Sequence, residues 1–415
     1  MINKKNIAVW FLFDWAITPF PVIVTTFIFS AYFTEHIAPN KIIGTEYWGN
    51  VIAAAGFCIA FFSPFLGGIA DFKGHRKRGL GVFALLAAVS SSMLWYAKPS
   101  PNFMSWTLLW VFLGTLGVEI STVFYNAMLK GLAPKAVVGR LSGWAWGFGY
   151  TGGVVSLLVC LFVFIKGDIA WIDTLGQAAG VRLCGPFVGI WIIVFSLPMV
   201  LFFKERQRKS LCYSKAITLG ARSLFETFKS IRQYKNIFIF LLSRMLYMDG
   251  LLAIFAFGGI YAAGVFHMTM AEVVIYGVLM NLAAGLGAVG FAWVDNWIGS
   301  KLTVMLALFS MFACALGLVI FHSITIFWVV SLIFGLCVGP VQASSRSLMT
   351  KLAPADKVNQ MFGLYALSGR ATSFVGPLAF GQATYFFGTQ RAGVMAASLF
   401  LFAGALLLMY VKHKD

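Results

Sequence analysis

Long apolar runs dominate the chain, and short polar stretches separate them at near-regular intervals. About 20 mostly apolar residues suffice for a helix to cross a bilayer. About twelve such runs occur, near 8–34, 48–70, 79–98, 104–130, 141–166, 181–203, 237–266, 272–294, 301–321, 325–349, 359–386 and 391–411. One polar connection is much longer than the others. It runs from 204 to 236, opens Lys-Glu-Arg-Gln-Arg-Lys-Ser and continues through an amphipathic piece with Ala221, Phe225 and Phe228. It divides the runs into six and six. The pattern predicts an all-α integral membrane protein with an N-terminal six-helix bundle over 1–203, a linker over 204–236 and a C-terminal six-helix bundle over 237–415. A basic amphipathic linker suits the anionic inner leaflet, so membrane lipids are its expected partners.

Composition agrees. The 415 residues are 60% hydrophobic and 11% charged, against roughly a quarter charged in a soluble domain. A net charge of +17 first suggests a nucleic-acid binder, but the positions of the charges exclude it. They gather in alternate connections: Lys4 and Lys5, Lys73 to Arg78, Lys130 to Arg140, Lys204 to Lys235, Lys301, Lys351 with Lys357, and Lys412 with Lys414. No basic stretch is large enough to fold as a separate domain. The bias toward positive cytoplasmic loops puts both termini and the 204–236 linker in the cytoplasm, which an even number of spans allows. An inner (cytoplasmic) membrane is the expected location. Lys4 and Lys5 ahead of an apolar run resemble a signal peptide. The run is too long, contains Asp14 and lacks a small-residue cleavage site, so it reads as a retained first span. The six cysteines and five histidines show no ligand-like spacing, so no metal is expected. No phosphate-binding loop and no nucleophile–base motif appears, so neither ATP drive nor an enzyme is expected, and no cofactor is called for.

The halves repeat each other weakly. Leu132-Ala133-Pro134 follows run four and Leu352-Ala353-Pro354 follows run ten. Each leads into a glycine-rich run, with Gly143 and Gly363 at matching places. Duplicated halves are how many transporters build two bundles that rock around a midplane site. Glycines also let helices pack closely.

Between runs two and three the chain reads Gly67-Gly-Ile-Ala-Asp71-Phe-Lys-Gly74-His-Arg76-Lys-Arg78. Gly74 permits a tight reversal. Asp71 is placed to meet a helix N-terminus or an arginine. Asp295 to Lys301 is a looser copy after run eight. This spacing resembles the G-x-L-A-D-x-x-G-[RK]-[RK] signature of the major facilitator superfamily, with Ile69 for Leu and His75 for the first basic residue. The resemblance extends over essentially the whole chain. Phe13-Asp14-Trp15-Ala16, Phe124-Tyr125-Asn126-Ala127 and Tyr247-Met248-Asp249-Gly250 resemble the branch of vacuolar amino-acid effluxers of the autophagy-related type and their bacterial relatives. It implies twelve transmembrane helices in two pseudo-symmetric bundles, a monomer, and a gating role for Gly67, Asp71, Gly74 and Arg76. Run four carries Glu119 where proton-coupled members often have an arginine. Run five has Gly147-Phe148 where the antiporter branch has Gly-Pro.

Charges inside the runs are the candidates for chemistry, because each costs roughly 2.5–3.5 kcal/mol to insert. They are Asp14, Glu119, Arg244, Asp249, Arg346 and Arg370. Asp249 lies about 12 residues into run seven, roughly 18 Å deep, and Arg370 is at similar depth in run eleven. These two are candidates for holding the amine and the carboxylate of a zwitterion, or for pairing with each other. Asp14 and Glu119 are candidate proton carriers, since apolar surroundings let a carboxylate load and release a proton; the plainer reading pairs them with Arg244 or a backbone group. Arg346 is expected to pair with Asp295 as a gate. Asn126 and Tyr247 lead the candidates for cavity lining, followed by Tyr125, Tyr261, Asn281 and Gln342. The expected activity is secondary active transport of a small polar solute driven by a proton gradient. Efflux or import of a hydrophobic drug or siderophore is the alternative within transport, and a non-transporting sensor or lipid-handling protein is the alternative outside it.

Overall fold

The computed structural model describes residues 4–72, 76–129, 132, 135–167, 169–204, 234–354 and 358–412. Among them, eleven helices are long and apolar enough to cross a membrane. Span one is a continuous helical run from Lys4 to Ile37, with π-helical turns at Phe20–Phe27 and Phe33–Ile37. The helices of spans two to six are Lys41–Phe72, Arg76–Met93, Met104–Leu129, Lys135–Val159 and Ala179–Phe202. Those of spans seven to ten are Lys235–Phe266, Met270–Ile298, Ser300–Ile320 and Ile324–Leu352, and span twelve is Gln390–Met409.

Span eleven departs from the expected single helix. It is made of two half-helices, Val358–Ser368 and Val375–Phe387, joined by turns over 369–374. The local sequence explains the break. Gly369 and Gly376 are poor helix formers. Pro377 lacks an N–H and would disrupt a continuous helix, but in the first turn of a new one nothing is lost.

By their contacts the helices form two compact units. The first holds span one, the part of span two from Phe61, spans three to six, and Met268–Ile275 at the start of span eight. The second holds Lys41–Ala60 of span two, span seven, span eight from Tyr276, and spans nine to twelve. Within the second unit the opening of span two is tied to polar groups: Gln390 Nε2 donates to Thr45 Oγ1 (2.9 Å) and Gln382 Nε2 to Asn50 Oδ1 (3.0 Å). The sequence repeat is weak, but its structural counterpart is plain, and it lies in polar clamps at the helix ends.

Four clamps recur in both units. Asn6 Oδ1 accepts from the Lys204 N–H (3.2 Å), and Asn236 Oδ1 accepts from the Lys412 N–H (3.4 Å). Lys77 Nζ donates to the carbonyls of Leu201 and Phe203, and Lys301 Nζ to those of Met409 and Val411. Arg182 Nε donates to the Trp95 carbonyl (2.8 Å); Arg391 Nη1 donates to those of Leu318, Val319 and Phe321. Tyr32 Oη donates to the Ala97 carbonyl (2.9 Å) and Tyr261 Oη to that of Leu318 (2.6 Å). In each unit, then, the first, third and sixth helices are tied at both ends, three of the four clamps through carbonyls near a helix C-terminus. Tyr261, expected to line a cavity, is one of these clamps.

Removing either tyrosine hydroxyl deletes one buried hydrogen bond worth about 1 kcal/mol. Tyr32→Phe and Tyr261→Phe are therefore expected to lower stability by similar amounts. Thermal unfolding of purified protein in detergent checks this; a loss in only one variant would mean the clamps are duplicated in geometry but not in energy.

Candidate functional site

Span seven carries the candidates Arg244, Tyr247 and Asp249, all buried. Asp249 is 3% exposed. It lies against the break in span eleven, where the Thr372 side chain faces its carboxylate. That approach falls short of good hydrogen-bond geometry, and the Thr372 hydroxyl is buried without a partner. No ion pair joins Asp249 to a basic side chain among the described residues. The two spans touch backbone to backbone here. A Cβ on Gly376 would lie 2.2 Å from the Asp249 carbonyl oxygen, so only glycine permits the approach. On its other side, Gly250 presses on the Ala397 carbonyl of span twelve, where a Cβ would stand 2.5 Å away.

The break leaves carbonyls at the end of the first half-helix without helical donors. Arg244, also on span seven, reaches one carbonyl at this end. Its Nη1 donates to the Tyr365 carbonyl (2.7 Å) and to Ser368 Oγ (3.0 Å). Its guanidinium lies 3.8 Å from the centre of the Tyr365 ring. A cation at a helix C-terminus also meets the negative end of the helix dipole. Gly369 makes room, since a Cβ there would stand 2.5 Å from Arg244 Nη1. Arg244 therefore caps a helix end inside a span. Its Nε is buried without a partner. Tyr247, one turn on and fully buried, shares a 2.6 Å hydrogen bond with Ser345 of span ten. Arg370 sits in the turns themselves, half-buried, and its carbonyl accepts from the Ser373 hydroxyl (3.0 Å).

A second group of candidates lies in the first unit. Asp14 is half-buried one turn before Pro19 and Pro21. Thr18 Oγ1 donates to the Asp14 carbonyl (2.7 Å). Pro19 has no N–H to offer the Trp15 carbonyl, and Trp191 Nε1 of span six donates to it (3.1 Å). Tyr125 of span four is 4% exposed and stacks on Trp10 at 4.4 Å. Its hydroxyl has no hydrogen-bond partner. Glu119 is half-buried and Asn126 exposed, both on span four.

The gating candidates are placed as follows. Gly67 and Asp71 lie in the last part of the Lys41–Phe72 helix, with side chains outside the described residues. Gly74 lies outside them too, as does the linker piece with Ala221, Phe225 and Phe228. Arg76 Nη1 donates to the Ala127 carbonyl at the end of span four (2.8 Å). Arg346 is exposed on span ten and forms no ion pair with Asp295. Asp295 Oδ1 is buried without a hydrogen-bond partner. The expected gate pair is thus absent: Arg346 points from an exposed face of its helix, while Asp295 is turned inward. Gly299, with φ of +87°, makes the reversal into span nine.

Comparison with known proteins fits this architecture. The family model described as "vacuole effluxer Atg22 like" matches residues 50–138 and 135–415. The chain belongs to that Atg22-like family. The uncharacterized MFS-type transporter YxiO of Bacillus subtilis (strain 168) is 27% identical over 412 residues, covering 98% of this chain and 94% of that protein. Autophagy-related protein 22 of Yarrowia lipolytica is 24% identical over 275 residues, which are 59% of this chain and 45% of that protein. This chain therefore spans about half the length of that fungal Atg22 relative. Among solved structures, the Escherichia coli xylose transporter XylE, partially occluded and inward open, superposes with a TM-score of 0.69 at 13% identity, covering 99% of both chains. A bacterial homolog of the human lysosomal transporter Spinster, inward-facing, gives 0.69 at 13% identity over 99% of this chain and 98% of that one. The Atg22-like chain thus has the major facilitator fold and is an integral membrane protein. The relatives named are transporters, not enzymes.

The break in span eleven and its neighbours Thr372, Ser368 and Ser345 were not among the expected site residues. One signal for the break was present: the Gly376-Pro377 dipeptide inside an apolar run marks a turn. Gly376→Ala must part spans seven and eleven and is expected to cost about 1–3 kcal/mol or more. Gly363→Ala, with open space around its Cβ, is expected to be tolerated. Unfolding midpoints of the two variants in detergent test the contrast, and equal midpoints would remove the argument for close backbone packing at Gly376.

Proposed function

We propose that this protein is a secondary active transporter that moves a small polar solute across the inner membrane by alternating access. An amino acid or related zwitterion is the preferred solute, and a proton gradient is the driving force. The protein works as a monomer with both termini in the cytoplasm. The observation that carries the reading is the break in span eleven beside Asp249. Irregular backbone at membrane depth is tolerated where it is buried in protein or lines a cavity, and discontinuous helices are where transporters hold solutes and ions. Asp249 offers a carboxylate for an ammonium group. The turns at 369–374 hold Arg370 and Thr372, a guanidinium and a hydroxyl suited to a carboxylate. The description of the matching family, vacuole effluxer, supports transport. The neighbours carry xylose and, in the structure titled nucleoside transporter NupG, nucleosides, so the shared fold leaves the solute to residues such as these.

Purified protein in liposomes, screened with amino acids, tests this. Asp249→Asn removes one charge-assisted contact of roughly 1.4 kcal/mol or more, so affinity for a cationic or zwitterionic solute is expected to fall about tenfold or more. A correctly folded Asp249→Asn protein that transports at the unmodified rate and affinity would exclude Asp249 as the amine site.

A further inference from the structure

Two thiols in the first unit have no part in the site described above. Cys160 opens the π-helical end of span five, Cys160–Ile165, and Cys184 lies in the second turn of span six. Both are fully buried, and both are free thiols. Their side chains hydrogen-bond to each other. Cys184 Sγ also donates to the Gly180 carbonyl one turn earlier (3.5 Å), so the bridge between the sulfurs uses the S–H of Cys160.

The register of the two helices explains the meeting. Span six returns antiparallel to span five after the connection at 166–178. A Cβ on Gly180 would overlap the Phe164 carbonyl oxygen, so the two backbones touch there. Phe164 stands four residues after Cys160, and Gly180 four before Cys184. Antiparallel helices carry such a match along their length, which sets Cys160 against Cys184 one turn deeper. The Phe164 ring also meets that of Phe187, with centroids 5.5 Å apart. A disulfide needs its Cα atoms within about 7 Å, and a glycine contact of this kind lets helix backbones approach closely. Cys314 and Cys337, on spans nine and ten, are buried as well, but no hydrogen bond joins them among the described residues.

The chemistry open to two facing thiols is narrow. A structural zinc or an iron–sulfur cluster takes about four ligands, and no group of three or more histidines, cysteines or carboxylates gathers among the described residues. We propose that Cys160 and Cys184 are an oxidation site, a dithiol that a peroxide closes to a disulfide tying span five to span six. One sulfur attacks the peroxide O–O bond and becomes a sulfenic acid as water leaves. The other sulfur attacks the sulfenic sulfur, the S–S bond forms and a second water leaves. Two thiols and one hydrogen peroxide thus give one disulfide and two waters, with sulfur oxidised and oxygen reduced. Apolar packing shields thiols from large or charged oxidants, whereas hydrogen peroxide is small and neutral. The disulfide closes the loop over 160–184 and restricts the unfolded chain, so the oxidised protein is the more stable form. Nothing in this depends on what the protein transports.

The test uses the full chain, purified in detergent. It is treated with hydrogen peroxide, denatured in N-ethylmaleimide, digested and read by mass spectrometry. A Cys160 peptide joined to a Cys184 peptide is expected, released by dithiothreitol, with Cys58, Cys314 and Cys337 alkylated. In Cys160→Ser the linked peptide is expected to vanish and a sulfenic acid on Cys184 to be trapped by dimedone. Cys160 and Cys184 both alkylated, at peroxide doses that oxidise the protein's methionines, overturns the site. So does Cys160 oxidised to a sulfinic acid beside an intact Cys184, since a resolving thiol in reach intercepts that route. The oxidised protein is expected to unfold at a higher temperature than the same sample after dithiothreitol, and Cys160→Ser to show no such difference. An equal or lower midpoint for the oxidised protein overturns the tie between the spans.

Discussion

Peptide groups inside a membrane have no water to bond with, and each one left open costs several kcal/mol. The arrangement of this protein follows from how it meets that demand where a helix is interrupted. Span eleven is broken at 369–374; near the break the Tyr365 carbonyl accepts from Arg244, brought in from span seven, and the Leu367 carbonyl from the N–H groups of Arg370 and Ala371. The same demand recurs on a smaller scale. Pro19 frees the Trp15 carbonyl, which Trp191 takes up. Interruption and compensation come as a set, so the residues around a break are fixed by it.

The basic residues have a second use beyond topology. Counting lysines and arginines predicts which loops face the cytoplasm, but Lys77, Lys301, Arg182 and Arg391 each also close a helix end. Such a side chain covers apolar surface with its stem and delivers donors to open carbonyls with its head. These clamps recur in both units while the sequences around them have drifted apart. A duplicated scaffold keeps what ties its helices together and is free to change what those helices enclose.

The fold was legible because hydropathy measures the quantity a bilayer selects. Spans one to ten and twelve lie where their apolar runs predict. The same measure hid the break in span eleven, since Phe374, Val375 and Leu378 keep that run apolar on both sides of the turns. The buried charges were legible as candidates, and Asp249 is indeed buried. Their partners were not. Arg244 binds a carbonyl 121 residues away, and nothing in a single chain's periodicity marks that meeting. Tyr261 closes a helix end where it was expected to line a cavity, because a tyrosine in a span reads alike in either role.

The most informative positions are those where the repeats share a register and differ in chemistry. Asp14, eight residues after Asn6, and Arg244, eight residues after Asn236, lie over Gly149 and Gly369, which stand seventeen residues after the leucines of the two Leu-Ala-Pro segments. In the second unit the helix is broken there, and Arg244 bonds the Tyr365 carbonyl. In the first unit span five stays whole through Gly149, and Asp14 meets no helix end. A shared register thus holds a cation where a helix is interrupted and an acid where it is not, so the sign of the charge follows the peptide groups it faces.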